Sequence, residues 1–351
     1  MKFQKAKLTI TEYDKKNLRI PYKKLKILKE SSIQVSSFSI SKNIAFSILT
    51  KENSFMNRSW EIFSNYITIQ NKLKFKEDNL YLTSHFLRRY RDFTKTSKLG
   101  EFAQGLTYHF ISEHLGYPIV HDFWDFLNLY NPGNVSAPDF VGSKIENSDS
   151  IILVESKASS DPAKIKSVFK EGQAQTKSGK KLVSNSYHIN STYTANVEFH
   201  DIDENIPIKI NFIDPPGKQK QIYPNGPNFD ILQKHYSYWF FIIGRFDLVN
   251  LIREGNIKEV KNRGYEQEKS FLFRPPFEYL LPLFNEVDNF FYKNYYLNIK
   301  SIEIDKSILN LLSERQSSSS NDLYFKNEIT EYSESFSDGV KVNFYEKGDS
   351  V

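Results

Sequence analysis

The most regular pattern in the chain is a helical one. Apolar residues recur at the three- and four-residue spacing that lines one face of a helix, at Leu99, Phe102, Ala103, Leu106 and Phe110. Thr96 or Ser97 can cap the first turn, and Gly116 supplies the residue at which a helix commonly ends. The spacing predicts a helix from about residue 96 to residue 115.

Strand patterns follow this helix. Residues 149–158 form an apolar run of strand length, interrupted by Glu155 and Lys157, and residues 118–138 are expected to be loop with at most one short strand. Five further elements are predicted in chain order: a helix over 164–177, an exposed strand over 206–213, a buried strand over 238–244, and helices over 247–254 and 279–292. Helices that alternate with strands predict an α/β fold, with a central mixed β-sheet flanked by helices.

The same pattern suggests four regions. Residues 96–255 hold the predicted α/β core. The basic N-terminal region 1–95, with its cluster Arg88-Arg89-Tyr90-Arg91, is left without a fold and is assigned to substrate binding or dimerisation. Residues 256–312 are predicted to be a helical C-terminal extension, and 313–351 a polar linker and acidic tail with one short strand at most.

Composition narrows the chemistry. The chain has no cysteine, which excludes disulfides, thiolate zinc sites and cysteine nucleophiles, and leaves carboxylates and histidines as metal ligands. Its formal net charge is +5, and the excess of lysine and arginine in the first thirty residues would attract a polyanion. Neither a signal-peptide core nor an apolar run long enough to span a bilayer occurs in the sequence, so no membrane partner and a cytoplasmic location are expected.

The strand at 149–158 carries the most informative polar residues. Side chains alternate along a strand, so Glu155 and Lys157 project from one face together with the apolar Ile151 and Leu153. A charge on such a face is costly unless a partner or a metal ion compensates it. An edge strand with a charged, solvated face is the alternative interpretation.

Upstream, Asp139 follows Pro138 and begins from a constrained, extended backbone, although an ordinary turn residue would look the same. Asp139 and Glu155 would hold Mg²⁺, or Mn²⁺ in its place, and the backbone carbonyl of Ser156 would add a further oxygen ligand. Lys157 would then orient a water molecule or neutralise charge on a phosphate.

These residues, Pro138-Asp139 followed by Glu155-Ser156-Lys157, resemble the PD-(D/E)XK or restriction-endonuclease-like superfamily of nucleases. The resemblance implies a restriction-endonuclease-like core in the order helix, strands, helix, strand, with N-terminal and C-terminal extensions outside it. It also implies a catalytic or metal-binding role for Glu101, on the helix before the first core strand. A favourable contact with the helix dipole would explain Glu101 equally well.

The resemblance implies a Mg²⁺-dependent endonuclease, and by analogy a restriction or antiphage-defence enzyme. Gln173 and Gln175 could reach a phosphate or the metal-bound water, and in some members of the superfamily a glutamine on this helix completes the site. The sequence does not decide between them, and solvation of the helix surface is the alternative for both. Double-stranded DNA is the expected substrate; an RNA or tRNA nuclease of the same fold and a non-cleaving nucleic-acid-binding module are the alternatives, and a homodimer or a larger defence complex is compatible with each. Basic residues that would follow the nucleic-acid backbone crowd the helix after the strand, at Lys164, Lys166, Lys170, Lys177, Lys180 and Lys181.

Overall fold

The protein is described from a computed structural model. The residues that the structure describes are 4–18, 24–48, 55–127, 135–146, 150–183, 187–200, 205–214, 229–242, 246–253, 256, 259, 299–314 and 325–344.

A nine-stranded mixed sheet organises most of the described chain. Its strands run in the order β3-β4-β1-β9-β8-β7-β6-β5, and β2 pairs with β1 off this path. The pairs β1–β4, β1–β9 and β7–β8 are parallel, and the remaining pairs are antiparallel. The strands are β1 (Lys5–Tyr13), β2 (Ile27–Ser36), β3 (Leu73–Lys76), β4 (Asn79–Leu82), β5 (Ile119–Asp122), β6 (Phe140–Ser143), β7 (Ser150–Ser159), β8 (His188–Glu198) and β9 (Lys209–Ile213).

Helices cover both faces of this sheet, which makes the fold mixed α/β as predicted. On one face α4 lies against β7 and β8 and α1 lies against α4, while α6 covers β7 and β8 on the other face. Small residues allow the closest approaches: a Cβ atom on Gly105 of α4 would lie 2.4 Å from Ile44 of α1. The helices are α1 (Ser37–Ile48), α2 (Phe55–Lys72), α3 (Ser84–Arg89), α4 (Asp92–His109), α5 (Phe123–Phe126), α6 (Ile165–Val183), α7 (Phe229–Ile242) and α8 (Phe246–Arg253).

The elements around the predicted core largely confirm the periodicity argument. The helix predicted from about residue 96 begins a few residues earlier as α4, continues as a π-helical turn, Phe110–His114, and ends at Gly116, whose φ is +71°. The strand at 149–158 is β7, the helix at 164–177 is α6, and the helix at 247–254 is α8. Residues 118–138 contain one short strand, β5, as expected, and also the single-turn helix α5.

Two predicted strands are corrected by the structure. Residues 238–242 belong to α7, which buries Tyr236, Trp239 and Phe240, because a short apolar run is compatible with a buried helix as well as with a strand. The strand at 206–213 is β9, but it is buried rather than exposed. It lies between β1 and β8, so Ile210 packs on one face of the sheet while Asn211 is buried on the other.

The N-terminal region is part of the same sheet. Strands β1 to β4 all come from residues 5–82, and β1 pairs with β9 in the middle of the sheet. The sheet therefore crosses the predicted boundary at residue 96.

The C-terminal region contains more strand than predicted. A second, four-stranded sheet has the order β10-β13-β12-β11 and buries Val340, Val342 and Phe344. Three of its strands follow residue 313, where one at most was predicted, and the fourth lies in the region predicted to be helical. The helix predicted at 279–292 and most of the polar linker lie outside the described residues. The elements are β10 (Ile299–Ile304), α9 (Lys306–Glu314), β11 (Glu328–Ile329), β12 (Ser333–Ser335) and β13 (Val340–Phe344).

Within the part of the chain that the structure describes, no helix combines the length and the apolar character needed to cross a membrane.

Candidate active site

The candidate site begins where β7 extends past its neighbour. Strand β6 pairs with β7 only up to Val154, so the next residues of β7 have no β6 partner on that side. The alternation predicted for this strand is confirmed: Lys157 points towards α6, and the hydroxyl of Ser156 lies 2.9 Å from the hydroxyl of Thr107 in α4. Glu155 and Lys157 therefore share the α6 face at an open end of the strand.

Glu155 and Lys157 contact each other directly. The Lys157 Nζ lies 2.9 Å from the Glu155 Oε1, and the Glu155 side chain is 2% exposed whereas that of Lys157 is 20% exposed. The second carboxylate oxygen, Oε2, is buried and has no hydrogen-bond partner among the described residues. Glu155 is thus a buried acid with one carboxylate oxygen paired to Lys157.

Asp139 joins the pair from the residue before β6. Its Oδ2 accepts a 2.8 Å hydrogen bond from the backbone N–H of Ser156. Its own carbonyl accepts a 2.9 Å bond from the backbone N–H of Phe123. The preceding Pro138 packs under α6, where a Cβ atom on Gly179 would lie 2.3 Å from the proline Cδ. Asp139 is therefore held in place from the sheet, from α5 and from α6.

The backbone of Ser156 also points into this corner. In a strand the N–H and the C=O of one residue point to the same side. Because the Ser156 N–H points towards Asp139, beyond the end of β6, the Ser156 carbonyl points there too. Two carboxylates and one main-chain carbonyl converge on the open end of β7.

The two buried acids have raised pKa values. Burial and, to a smaller extent, the nearby Asp139 carboxylate raise the pKa of Glu155 to about 8 against the opposing effect of Lys157. Burial likewise raises the pKa of Asp139 to about 6, although the hydrogen bond from Ser156 acts in the other direction. Two carboxylates whose protonated forms are favoured in this way would be stabilised as anions by a cation beside them.

The donor set fits a hard divalent cation. Carboxylate and carbonyl oxygen atoms are the ligands that Mg²⁺ takes, usually one or two carboxylates completed by water. The described residues contain no group of three or more histidine, aspartate or glutamate side chains arranged to hold a metal ion.

Two acidic residues at the site were missed by sequence reasoning. Glu171 of α6 places its Oε1 2.8 Å from the Lys157 Nζ. Burial opposes the charge of Lys157, but Glu171 and Glu155 outweigh it and raise the pKa of this lysine. Asp122, at the end of β5, caps α5 and adds a charge that raises the pKa of Asp139. The spacing of Glu171 within α6 could have indicated its face, but no local pattern signals Asp122.

The structure separates the two glutamines. Residues four apart lie on the same face of a helix, so Gln175 shares the face of Glu171, which contacts Lys157. Gln173 lies about 200° around the helix from Glu171, on the flank away from that contact. The Oε1 of Gln175 and the Nε2 of Gln173 are both buried with no hydrogen-bond partner among the described residues, so the helix face alone separates the two. Of the two, Gln175 is the one on the side of the candidate site.

Glu101 does not join the two carboxylates in a group of three. It forms an ion pair with Lys98 one turn earlier in α4. Thr107, whose hydroxyl contacts Ser156 of β7, lies about 9 Å further along the helix axis than Glu101. A catalytic or metal-binding role for Glu101 stays a prediction.

Five of the six predicted basic residues share one side of α6. By helical phase they lie within an arc of about 100° that includes Gln173, at Lys166, Lys170, Lys177, Lys180 and Lys181. Lys164 lies in the 3-10 turn before α6. Lys164 is also within 4.0 Å of Asp161. Contact between these six lysines and nucleic acid stays a prediction. Five of the six are exposed and one is half-buried: Lys164, Lys170, Lys177, Lys180 and Lys181 are exposed, and Lys166 is half-buried.

No family model matches the sequence, and neither the curated proteins nor the solved structures contain a match to the chain.

Proposed function

We propose that this chain is a metal-dependent nuclease that hydrolyses phosphodiester bonds in DNA. The observation that carries the proposal is the convergence of Asp139, Glu155 and Lys157 at the unpaired end of β7, with a buried carboxylate oxygen that has no partner among the described residues. A structural ion pair would not need a second buried acid against it, because the added negative charge only raises the cost of burial.

The order of elements supports a restriction-endonuclease-like core. Helix α4 precedes the antiparallel strands β5, β6 and β7, and α6 then connects β7 to its parallel neighbour β8. This is the order helix, strands, helix, strand that the resemblance implies. The proposed core spans α4 to β8, and the N-terminal strands extend its sheet.

In the proposed mechanism, Asp139, Glu155 and the carbonyl of Ser156 would hold Mg²⁺. A bound Mg²⁺ ion lowers the pKa of water and stabilises negative charge on the scissile phosphate. Lys157 stays protonated because Glu155 and Glu171 lie within 3 Å of its Nζ, and it donates a hydrogen bond to the phosphate or to the attacking water. Gln175 offers an amide on the same side of the site for orienting that water.

DNA is the proposed substrate, and restriction or antiphage defence the proposed setting. The net charge of +5 and the exposed lysines of α6 support a polyanionic partner. The phosphate chemistry alone fits RNA equally well, so RNA belongs in the same test.

The test is incubation of the purified protein with supercoiled plasmid, linear duplex, single-stranded DNA and RNA, with Mg²⁺ or with EDTA. We expect cleavage of DNA with Mg²⁺ and none with EDTA. Asp139→Ala and Lys157→Ala should each abolish cleavage while the protein stays folded, as measured by circular dichroism. Cleavage of RNA alone would show that RNA is the substrate. Wild-type cleavage rates in both variants would contradict the proposed site.

A further inference from the structure

The end of α3, the two-residue connection after it and the start of α4 form an exposed basic segment, here called the arginine tip (Arg88–Phe93). Arg88, Arg89 and Arg91 are all exposed, and none of them forms an ion pair within the described residues. Phe93 is 86% exposed, more than any other large hydrophobic side chain of the described chain. Asp92 is the one acid in the tip. Arg88 and Arg89 lie in the last turn of α3, where basic side chains favour the helix dipole, whereas no such role applies to Arg91 or to the solvated ring of Phe93.

The tip is nevertheless anchored. Tyr90, at its centre, packs against the ring of the buried Phe86 at 5.2 Å between centroids. The ammonium group of Lys72 lies 4.9 Å from the centroid of the Tyr90 ring. Thr83 caps the first turn of α3 by accepting a hydrogen bond from the backbone N–H of Phe86. A held projection presents its exposed side chains at lower entropic cost than a free loop does.

Helix α4 connects the tip to the strand that carries the candidate site. Near its C-terminal end Thr107 contacts Ser156 of β7, and nearer its N-terminal end Phe102 packs against Phe86 of α3. The helix therefore crosses the sheet from the side of α3 and β4 to β7, on the face opposite α6. Phe93 lies about 21 Å along the helix axis from Thr107.

The sheet register places the start of α3 level with the candidate site. Ser159 at the end of β7 is aligned, through β8 and β9, with Thr9 of β1. Strand β4 runs parallel to β1 from its pair with Lys7, so its last residue, Leu82, is level with Ala158 of β7. Helix α3 follows β4, which three strands separate from β7 in the sheet.

We propose that the arginine tip is a nucleic-acid grip, in which Arg88, Arg89 and Arg91 bind phosphates and Phe93 contacts bases. This inference rests on the proposed function. Exposed arginines are suited to phosphates, and an exposed phenylalanine can stack on a base or wedge into a minor groove. The length of about 21 Å from Phe93 to Thr107 along α4 corresponds to about six base pairs, so a duplex of ordinary length spans the distance from the tip to β7.

The experiment measures nucleic-acid binding in EDTA, where cleavage cannot interfere, by fluorescence anisotropy with a labelled 30-base duplex and its single strand. The tip variant is Arg88→Ala/Arg89→Ala/Arg91→Ala. Its matched control, Lys144→Ala/Lys326→Ala/Lys341→Ala, removes the same charge from three exposed positions outside the tip. Phe93→Ala tests the ring by itself, and thermal melting shows that each variant is folded.

We expect the tip variant to bind at least about tenfold more weakly than the control, and its plot of log K against log salt to be less steep by about 2.7, since each phosphate contact contributes about 0.9. Phe93→Ala should weaken binding about tenfold with an unchanged salt slope, because stacking involves no counterion. A larger loss with the duplex identifies a groove wedge, and a larger loss with the single strand identifies stacking.

Equal affinities for tip variant, control and wild type would overturn the grip, even if the wild type cleaves DNA with Mg²⁺. A selective loss of binding in the tip variant, in a protein that cleaves nothing, would support the grip and refute the nuclease instead. Binding of neither nucleic acid by the wild type would refute both.

Discussion

Replacing Glu155 by glutamine distinguishes a cation-binding acid from the partner of a structural ion pair, because the two roles predict opposite changes in stability. If Glu155 serves mainly to pair with Lys157, its removal leaves the lysine with less compensation and destabilises the protein by about 3–5 kcal/mol. Lys157 keeps Glu171 at 2.8 Å, however, so the buried lysine does not lose its last partner. If Glu155 is a cation-binding acid, the neutral amide removes the repulsion between its carboxylate and that of Asp139, and therefore stabilises the cation-free protein.

The magnitude follows from the pKa of Glu155, which burial and Asp139 raise from 4.5 to about 8. A folded-state pKa above the unfolded value means that the acid contributes stability fully below pH 4.5 and loses it as the pH rises to about 8. The resulting loss of folding stability is at most about 5 kcal/mol. Because Glu155 and Asp139 titrate as a coupled pair and their surroundings can relax, we expect a loss of about 2 kcal/mol.

We therefore expect Glu155→Gln to be more stable than the wild type by about 2 kcal/mol in EDTA near pH 8.5, and nearly equal to it near pH 4.5, by urea denaturation. Added Mg²⁺ should stabilise the wild type and leave the variant unchanged. Glu171→Gln is the matched control, since this acid is 67% exposed and its removal should change stability by less than about 1 kcal/mol. Destabilisation of Glu155→Gln at both pH values would refute the reasoning.

Three further predictions concern the surface, the packing and a second buried acid. Charge reversal at Lys164, Lys166 and Lys170 should weaken nucleic-acid binding equally for all sequences and reduce its salt dependence, and unchanged affinity in a filter-binding assay would place the nucleic acid elsewhere. Gly172→Ala puts a Cβ atom 2.3 Å from the Thr194 Cγ2 and should lower the free energy of unfolding by about 1–3 kcal/mol, whereas Gly100→Ala, with no atom within 4 Å of its Cβ, should not lower it. Burial raises the pKa of Glu334 to about 7, so wild-type stability should fall as the pH rises from 4.5 to about 7, and Glu334→Gln should flatten that fall in thermal melts; an identical slope in the variant would show that Glu334 does not titrate there.

The candidate site could be predicted from sequence because its main features are local. The alternation of side chains in β7 is set by strand geometry, so Glu155 and Lys157 share a face in any sheet that contains them. The contact between Asp139 and the N–H of Ser156 is not local in this sense. It depends on β6 pairing with β7, which the sequence suggested only through the resemblance.

What escaped prediction depends on long-range pairing. Residues Ala6, Leu8 and Ile10 alternate with polar neighbours and could have indicated β1, but nothing nearby shows that β1 pairs with β9, about two hundred residues later. That pairing buries both faces of β9, which by its own alternation resembles an exposed strand. In the same way, α7 could not be distinguished from a strand until its packing partners were known.

The fixed placement of the two carboxylates gives the site its proposed chemistry. Asp139 is held by hydrogen bonds to Ser156 and Phe123 and by the packing of Pro138, and Glu155 lies within a strand bonded to β8. Neither acid can move away without breaking sheet or helix contacts, so their repulsion is relieved by a proton or by a cation. A site that cannot relax keeps its ligands preorganised, because the cost of bringing the carboxylates together is met during folding rather than at the moment of binding. The same rigidity implies that a substitution at Gly179, which lies beneath Pro138, would change the affinity for Mg²⁺ while leaving both carboxylates in the sequence.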